Sequence, residues 1–378
     1  MIAHGIADGV MFAEVQQPPS VVSRLGHPAT MASTELYTID PLTDSRWAKF
    51  VAEHPKASIF HQSGWLRALA VTYGYKPLVV TDATPPQPIR EAIAFCKVES
   101  WITGRRLVSL PFADHCEPLL EGNQRISEFS EWLSADCDRQ NWKYIELRPL
   151  TSTAVGKSSF GQGSSYWLHT LDLTSSIEDI FRRFDKDSVQ RRISRAERED
   201  LSYERGYSER LLEDFYHLLL LTRRRHRWLP QPRAWFRNLA ENLGDALQIR
   251  VVRDGNTPIA TLLSLRFRNT VVYKYGCSDQ RYHNLGGIPL LFWKLIEESK
   301  AEGAELLDFG RTDLEHDRLV RFKDQFGTTR RQITYCRYPT QTAQQADVDS
   351  WSSLRRVCSL MPDPVLSLAG RLAYRHIG

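Results

Sequence analysis

Apolar positions recur along this chain at two alternating periods, one of three to four residues and one of two, as helices and strands following one another require. Trp65, Leu66, Leu69 and Tyr73 share one helical face over Phe60–Tyr73, with Ser63 as the expected N-cap and Gly74 as the stop. Lys76–Thr81, Ile89–Val98 and Arg106–Phe112 read as strands, Ile126–Gln140 as an amphipathic helix, and Lys143–Leu150 as another strand. A second series begins with a strand at Trp167–Leu173, a helix start at Ile177–Phe184 and a short strand at Leu201–Arg205. Helices at Leu211–Arg224 and Pro232–Asn242 follow. Three strands (Ala246–Asp254, Pro258–Arg268, Thr270–Cys277) then run around the turn Asp254-Gly255-Asn256. The pattern closes with a helix at Ile288–Glu302, a strand at Glu305–Gly310, a short helix at Leu319–Gln325, a strand at Arg331–Tyr338 and a last helix at Pro364–Tyr374.

The two series echo one another. In each, an apolar strand enters a polar loop, then an amphipathic helix, then a strand bearing a carboxylate and an arginine. The first copy ends in Tyr144-Ile-Glu-Leu-Arg148 and the second in Leu306-Leu-Asp-Phe-Gly-Arg311. Meanders followed by strand–helix–strand units imply an α/β chain with mixed sheets, one per half. The Gly-, Ser- and Thr-rich run Thr151–Ser165 is the expected joint. The expected division is a loose tail over 1–34, halves over 35–160 and 161–340, and a polar linker with a terminal helix over 341–378.

Composition narrows the partners. The 378 residues are 42% hydrophobic and 25% charged, which excludes a largely disordered, collagenous or membrane-bundle protein. With 49 Lys and Arg against 45 Asp and Glu, a net +4 is too mild for a histone-like or DNA partner, so any anion binding must come from local clusters. Six cysteines (Cys96, Cys116, Cys137, Cys277, Cys336, Cys358) are scattered without a CxxC pair. With no basic segment leading into an apolar core over Met1–Thr34, they read as reduced thiols of a cytoplasmic protein. No apolar run approaches the roughly 20 residues of a membrane span.

The densest chemistry lies in the second half. Tyr273-Lys-Tyr-Gly-Cys-Ser-Asp279 ends a strand and Gly286-Gly287 opens the next helix, where free N–H groups suit an anion; a turn that merely needs glycine is the plainer reading. Asp308, Arg311 and Asp313 sit at a strand end, where open α/β sheets place ligands, or else form a structural ion-pair network. Arg182–Arg198 holds seven basic residues and three acidic ones, with Arg191, Arg195 and Arg198 at helical spacing and Arg192 between them. Arg223, Arg224, Arg225 and Arg227 form another cluster. Such arginines suit phosphate groups of a diphosphate carrier or an RNA backbone, or simply a solvated face. Asp114-His115-Cys116 and His316-Asp317 are too sparse for a metal site, and no Ser-His-Asp or Cys-His arrangement is legible.

Taken together, Tyr273–Asp279, Gly286-Gly287, Asp308–Asp313 and Arg321-Phe-Lys-Asp-Gln-Phe-Gly327 resemble the C-terminal half of the Fem-type (FemAB-like) peptidyltransferases. Arg191–Arg198 resembles that family's basic helix, Thr222–His226 with Pro230 its next helix end, and Phe60–Trp65 with Ser109–Phe112 its N-terminal half. The resemblance spans about Leu36–Tyr338 and looks closest to the proteobacterial branch linked with exopolysaccharide export. It implies two tandem acetyltransferase-like (GNAT) domains and attack of an amine on an activated acyl group. The acceptor it implies is a phosphate-bearing peptidoglycan or exopolysaccharide precursor. The donor stays open between aminoacyl-tRNA and acyl-CoA: the helical hairpin arm of some tRNA users and the acyl-CoA loop pattern are both absent. Lys323 matches the lysine of the family's F-K-x-x-F-G motif and is assigned to an oxyanion or a substrate phosphate. Asp313 or Asp279 would orient or deprotonate the amine, and Tyr275 would protonate the leaving group. Lys274, Gly286, Gly287, Arg311, Arg191, Arg192, Arg195 and Arg225 would bind substrate. No resident cofactor or metal is expected. The other readings are a CoA-dependent N-acyltransferase acting on an amino sugar, and a non-catalytic RNA- or lipid-binding protein. The helix after Asp363 would pack on the body or touch the inner membrane face peripherally.

Overall fold

A computed structural model describes residues 35–151, 159–340 and 361–377. The expected N-terminal tail, part of the expected joint and most of the polar linker lie outside the described residues. The first half comprises β1 (Tyr37–Ile39), α1 (Ser45–Glu53), α2 (Ser63–Tyr73), β2 (Lys76–Thr81), β3 (Ala92–Ser100), β4 (Gly104–Val108), α3 (Gly122–Gln140) and β5 (Tyr144–Leu147). The second comprises β6 (Gly161–Asp172), α4 (Ile177–Arg182), α5 (Arg191–Ala196), β7 (Leu201–Gly206), α6 (Glu209–His226), α7 (Arg233–Leu243), β8 (Leu247–Asp254), β9 (Thr257–Phe267), β10 (Thr270–Ser278), α8 (Gly287–Ala301), β11 (Leu306–Asp313), α9 (Asp317–Asp324) and β12 (Thr329–Tyr338). A terminal helix, α10, covers Asp363–Ile377.

Ser63 does not cap α2. Gln62 holds the N-cap position without a side-chain bond, and Gly74, at φ 73°, ends the helix as expected of a left-handed stop.

The expectation of one sheet per half is corrected. The described strands form a single twelve-stranded sheet in the order β1-β2-β3-β4-β5-β12-β6-β11-β10-β9-β8-β7. The join is β12, which pairs antiparallel with β5 through Cys336–Tyr338 and with β6 through Thr329–Arg337. An edge strand on each half would leave unpaired backbone groups; threading β12 between the halves pairs them.

The sequence echo is a structural repeat. In the first half β4 and β5 are parallel, joined across α3, with Val108 opposite Glu146. In the second, β10 and β11 are parallel, joined across α8, with Val272 opposite Asp308. Glu146 and Asp308 therefore occupy equivalent register positions. Glu146 is neutralised by buried Arg148 (2.8 Å) and by Arg337 (2.5 Å), a structural use. Its counterpart Asp308 faces a different environment.

Strand alternation sorts side chains to the two faces. Ala94 and Cys96 of β3 join the largest core, under α1, α2, α6, α7 and α10, while Ile93 and Phe95 join a core under α3. In the second half α4, α5 and α8 cover the opposite face. The largest core crosses between halves: Trp65 of α2 meets Trp235 of α7 edge-on at 5.2 Å. Gly64 permits this approach, since a Cβ there would lie 2.3 Å from the Asn242 carbonyl oxygen. The halves are therefore locked, and a cleft between them keeps its shape.

Candidate active site

The β10–β11 ladder ends at the Val272–Asp308 pair, and beyond it both strands are irregular. β10 has a register shift against β9 between Tyr273 and Tyr275, which sets Lys274 out of the ladder. β11 shifts against β6 between Asp308 and Arg311, with Gly310 at φ 71°. Side chains and carbonyls that would otherwise serve the sheet are thereby turned toward an opening.

That opening is a cavity of about 400 Å³ whose lining includes Asp114, His226, Lys274, Arg311 and Lys323. Asp114 comes from the other half, on the loop after β4. Leu110 and Phe112 adopt positive φ there, at 49° and 63°. Arg148 stabilises the bend by donating to the carbonyls of Leu110 (3.1 Å) and Ala113 (3.2 Å). The Tyr335 hydroxyl donates to the Asp114 carbonyl at 2.6 Å and accepts from Arg311 at 2.9 Å. Lys274 Nζ donates to Asp114 Oδ2 at 2.6 Å. Arg311 stacks on Tyr166, 4.2 Å from the ring centroid.

Lys323 is 2% exposed and donates to the carbonyls of Gly310 (2.8 Å) and Arg311 (3.2 Å). An ammonium has three donors, so one is left for a ligand. Burial lowers its pKa to about 8, although Asp114 and Asp308 pull the other way. Burial would raise Asp114, but Lys274 and Arg311 outweigh it and hold the carboxylate below its ordinary value. Asp114 is thus an ionised, paired carboxylate that anchors cations and is a weak base. Asp308 accepts from the Gly310 N–H (2.6 Å) and bonds His115 Nε2 (2.8 Å), a buried pair that braces the β11 bend.

A second cavity, about 460 Å³, shares His226, Tyr273, Gly276 and Leu319 with the first, so the two adjoin along one cleft wall. Its lining includes Arg192, Arg225, His283 and Gly287. Arg225 donates to the Ser278 carbonyl at 3.2 Å. His226 sits at the junction, and desolvation with Arg225 and Arg223 nearby lowers its pKa, so its imidazole is neutral at pH 7.

The residues expected from sequence divide cleanly. Lys274, Tyr275, Arg311 and Lys323 meet in the first cavity, and Arg192, Arg225 and Gly287 in the second. Asp279 lines neither: it accepts from Arg281 (2.6 Å), which holds it below its ordinary pKa, and it caps the following turn. Asp313 is exposed at the end of β11 and also lines neither. Tyr275 has its hydroxyl committed to Gln231 (2.7 Å), and burial raises its pKa, so it serves the wall and is a poor proton donor. Arg191 and Arg195 are exposed and pair along the chain with Asp187 (2.5 Å) and Glu199 (3.4 Å). Arg198 lies beyond the end of α5, so it does not continue an arginine face. Gly286 is required by packing, because a Cβ there would lie 2.5 Å from the Arg192 carbonyl oxygen. Among the described residues no group of three or more His, Cys, Asp or Glu could hold a metal.

Asp114 and His226 line the cleft without having been singled out from the sequence. His226 closes an arginine run whose charges draw attention from it, and Asp114 precedes a histidine and cysteine that invite only a metal reading.

Residues 183–323 match the family model described as an acetyltransferase (GNAT) domain, a span that contains the β10–β11 opening, both arginines of the second cavity and Lys323. Among solved structures, that of FemX superposes with a TM-score of 0.64 at 11% identity, covering 78% of this chain and 96% of that one. A tandem GNAT protein from the clavulanic acid biosynthesis pathway gives 0.48 at 12% identity, covering 80% and 98%. L-PGS from Bacillus licheniformis gives 0.46 at 15%, covering 71% and 86%. No curated protein matches the chain in sequence. The chain carries a GNAT-type domain in a mixed α/β fold and is an acyltransferase.

Proposed function

We propose that this GNAT-fold acyltransferase moves an acyl or aminoacyl group onto an amine of a phosphate-bearing cell-envelope precursor, a peptidoglycan or exopolysaccharide intermediate, in the cytoplasm. The observation that carries the reading is the joined cleft. One end holds a buried lysine with a spare donor, and the other holds Arg192 and Arg225, suited to phosphate oxygens. In this reading the amine lone pair attacks the acyl carbonyl carbon, and the carbonyl π pair moves onto oxygen beside Lys323 Nζ. The amine proton passes to neutral His226. Collapse of the intermediate expels the donor's leaving group, which takes that proton back. A lysine so placed stabilises charge that develops only in the transition state. The Fem-type motifs favour aminoacyl-tRNA as donor. Acyl-CoA remains the second reading, favoured by the acetyltransferase-domain match and by the α8 N-terminus at the cleft.

Calorimetric titration separates the two. A uridine-diphosphate-linked amino sugar is expected to bind, with affinity reduced at least about tenfold by Arg225→Met, as loss of a charged hydrogen bond implies. Acetyl-CoA is expected to show no low-micromolar binding; if it does, the CoA-dependent reading replaces this one.

A further inference from the structure

We infer that the outer face of α10, together with the tip of the β3–β4 hairpin, is a docking surface for a lipid bilayer with anionic headgroups. Ten large apolar side chains are exposed among the described residues, and six of them gather here: Val365, Leu368, Leu372 and Ile377 of α10, with Trp101 and Ile102 of the hairpin tip. Apolar residues scattered singly need no explanation, whereas a gathered set marks an interaction site. Trp101 is the most open of the ten, at 88% exposure.

The two parts of the patch are in direct contact. The Trp101 ring meets His376 edge-on at 5.9 Å. Ser100 Oγ bonds His376 Nδ1 (2.9 Å), and Arg106 donates to the His376 carbonyl (2.7 Å). Val365, Leu368 and Leu372, at spacings of three and four, form one stripe. The opposite face is already used: Leu366 is fully buried, and a Cβ on Gly370 would lie 2.0 Å from the Pro230 carbonyl oxygen. The outer stripe therefore cannot be a core face turned out by rotation of the helix.

Charge selects the occupant. Asp363, the one acid of α10, is tied to Arg224. Arg371 and Arg375 are exposed beside the stripe and, among the described residues, enter no ion pair. A second copy meeting this surface about a twofold axis would set like charges against each other. Anionic headgroups would neutralise them, while Trp101 suits the headgroup level. No described helix is long and apolar enough to cross a membrane, so α10 would lie in the interface. Docking also serves the cleft: Tyr374 donates to the Leu229 carbonyl at 3.1 Å, and the neighbouring Trp228 lines the first cavity. The mouth would then open near the headgroups, where a carrier-linked acceptor is met.

Vesicle flotation of the full chain tests this without any substrate, so its outcome is separate from that of the proposed transfer. With phosphatidylcholine vesicles containing phosphatidylglycerol, the protein is expected to float. Trp101→Ser/Leu368→Ser/Leu372→Ser should cut partitioning at least about tenfold, as loss of three partly buried apolar groups implies. Arg371→Glu/Arg375→Glu should abolish the preference for phosphatidylglycerol over pure phosphatidylcholine. Melting temperature and gel filtration check that each variant is folded. The inference is overturned if wild type stays with the unfloated fraction, if the triple variant floats equally well, or if wild type is a dimer that the triple variant dissolves.

Discussion

Replacing Lys323 by methionine is expected to lower turnover by about 10²- to 10³-fold, the usual effect of removing one oxyanion donor. Methionine keeps much of the side-chain volume and removes the costly buried charge. It leaves the Gly310 and Arg311 carbonyls without this donor, so stability should fall by no more than about 2 kcal/mol. Two pH signatures accompany the change. The folded pKa of about 8 lies below the ordinary lysine value of 10.5, so Lys323 is a cation below about pH 8 and loses its charge above it. Activity that needs the cation should therefore fall as pH rises through about 8, and the residual activity of Lys323→Met should lack that limb. Between about pH 8 and 10.5 the unfolded chain holds a proton that the folded chain has released, so this group makes stability rise with pH there. The variant loses that rise. Steady-state kinetics and urea unfolding across pH check both. A wild-type rate that stays flat through about pH 8 to 10 would remove the charge of Lys323 from the mechanism.

Asp114→Asn is expected to have the second largest effect, chiefly on stability. The carboxylate is the partner of Lys274, whose side chain is 7% exposed, and also faces Arg311 and Lys323. Removing one member of such a buried pair leaves the other uncompensated, at a cost of about 3–5 kcal/mol. Adding Lys274→Met should recover most of that loss in urea unfolding, because the stranded charge goes with it. The double variant should not regain activity. Asp114 also raises the Lys323 pKa, so the alkaline limb of the single variant should move below that of wild type. If Asp114→Asn unfolds at the wild-type urea concentration, the pair is not the anchor described here.

Elements whose local pattern and tertiary pairing agree were legible from the residues. Lys76–Thr81 is a strand with the expected limits, and the expected helix at Leu211–Arg224 lies within α6. Gly161–Ser165 read as joint, yet it opens β6, because its backbone pairs with Thr334–Arg337 of β12. Ladder pairing overrides a Gly- and Ser-rich composition. The three-residue β1 carries too few positions for any period to show. In the site, Lys274, Arg311 and Lys323 could be gathered by their places on neighbouring elements. Asp114 could not, since it stands 160 residues from Lys274 and meets it only through the locked halves. Of the basic run near Arg191, Arg192 lines the cleft, while Arg191 and Arg195 pair at the surface with Asp187 and Glu199, four residues away along the chain.

The central claim is acyl transfer to an envelope amine in the cleft around Lys323, and mass spectrometry of envelope precursors tests it most directly. Cells lacking the gene are compared with the same cells carrying the wild-type or the Lys323→Met protein. The account predicts a precursor heavier by one acyl or aminoacyl group with wild type, and its absence from both other strains. Identical precursor masses in all three strains would contradict it.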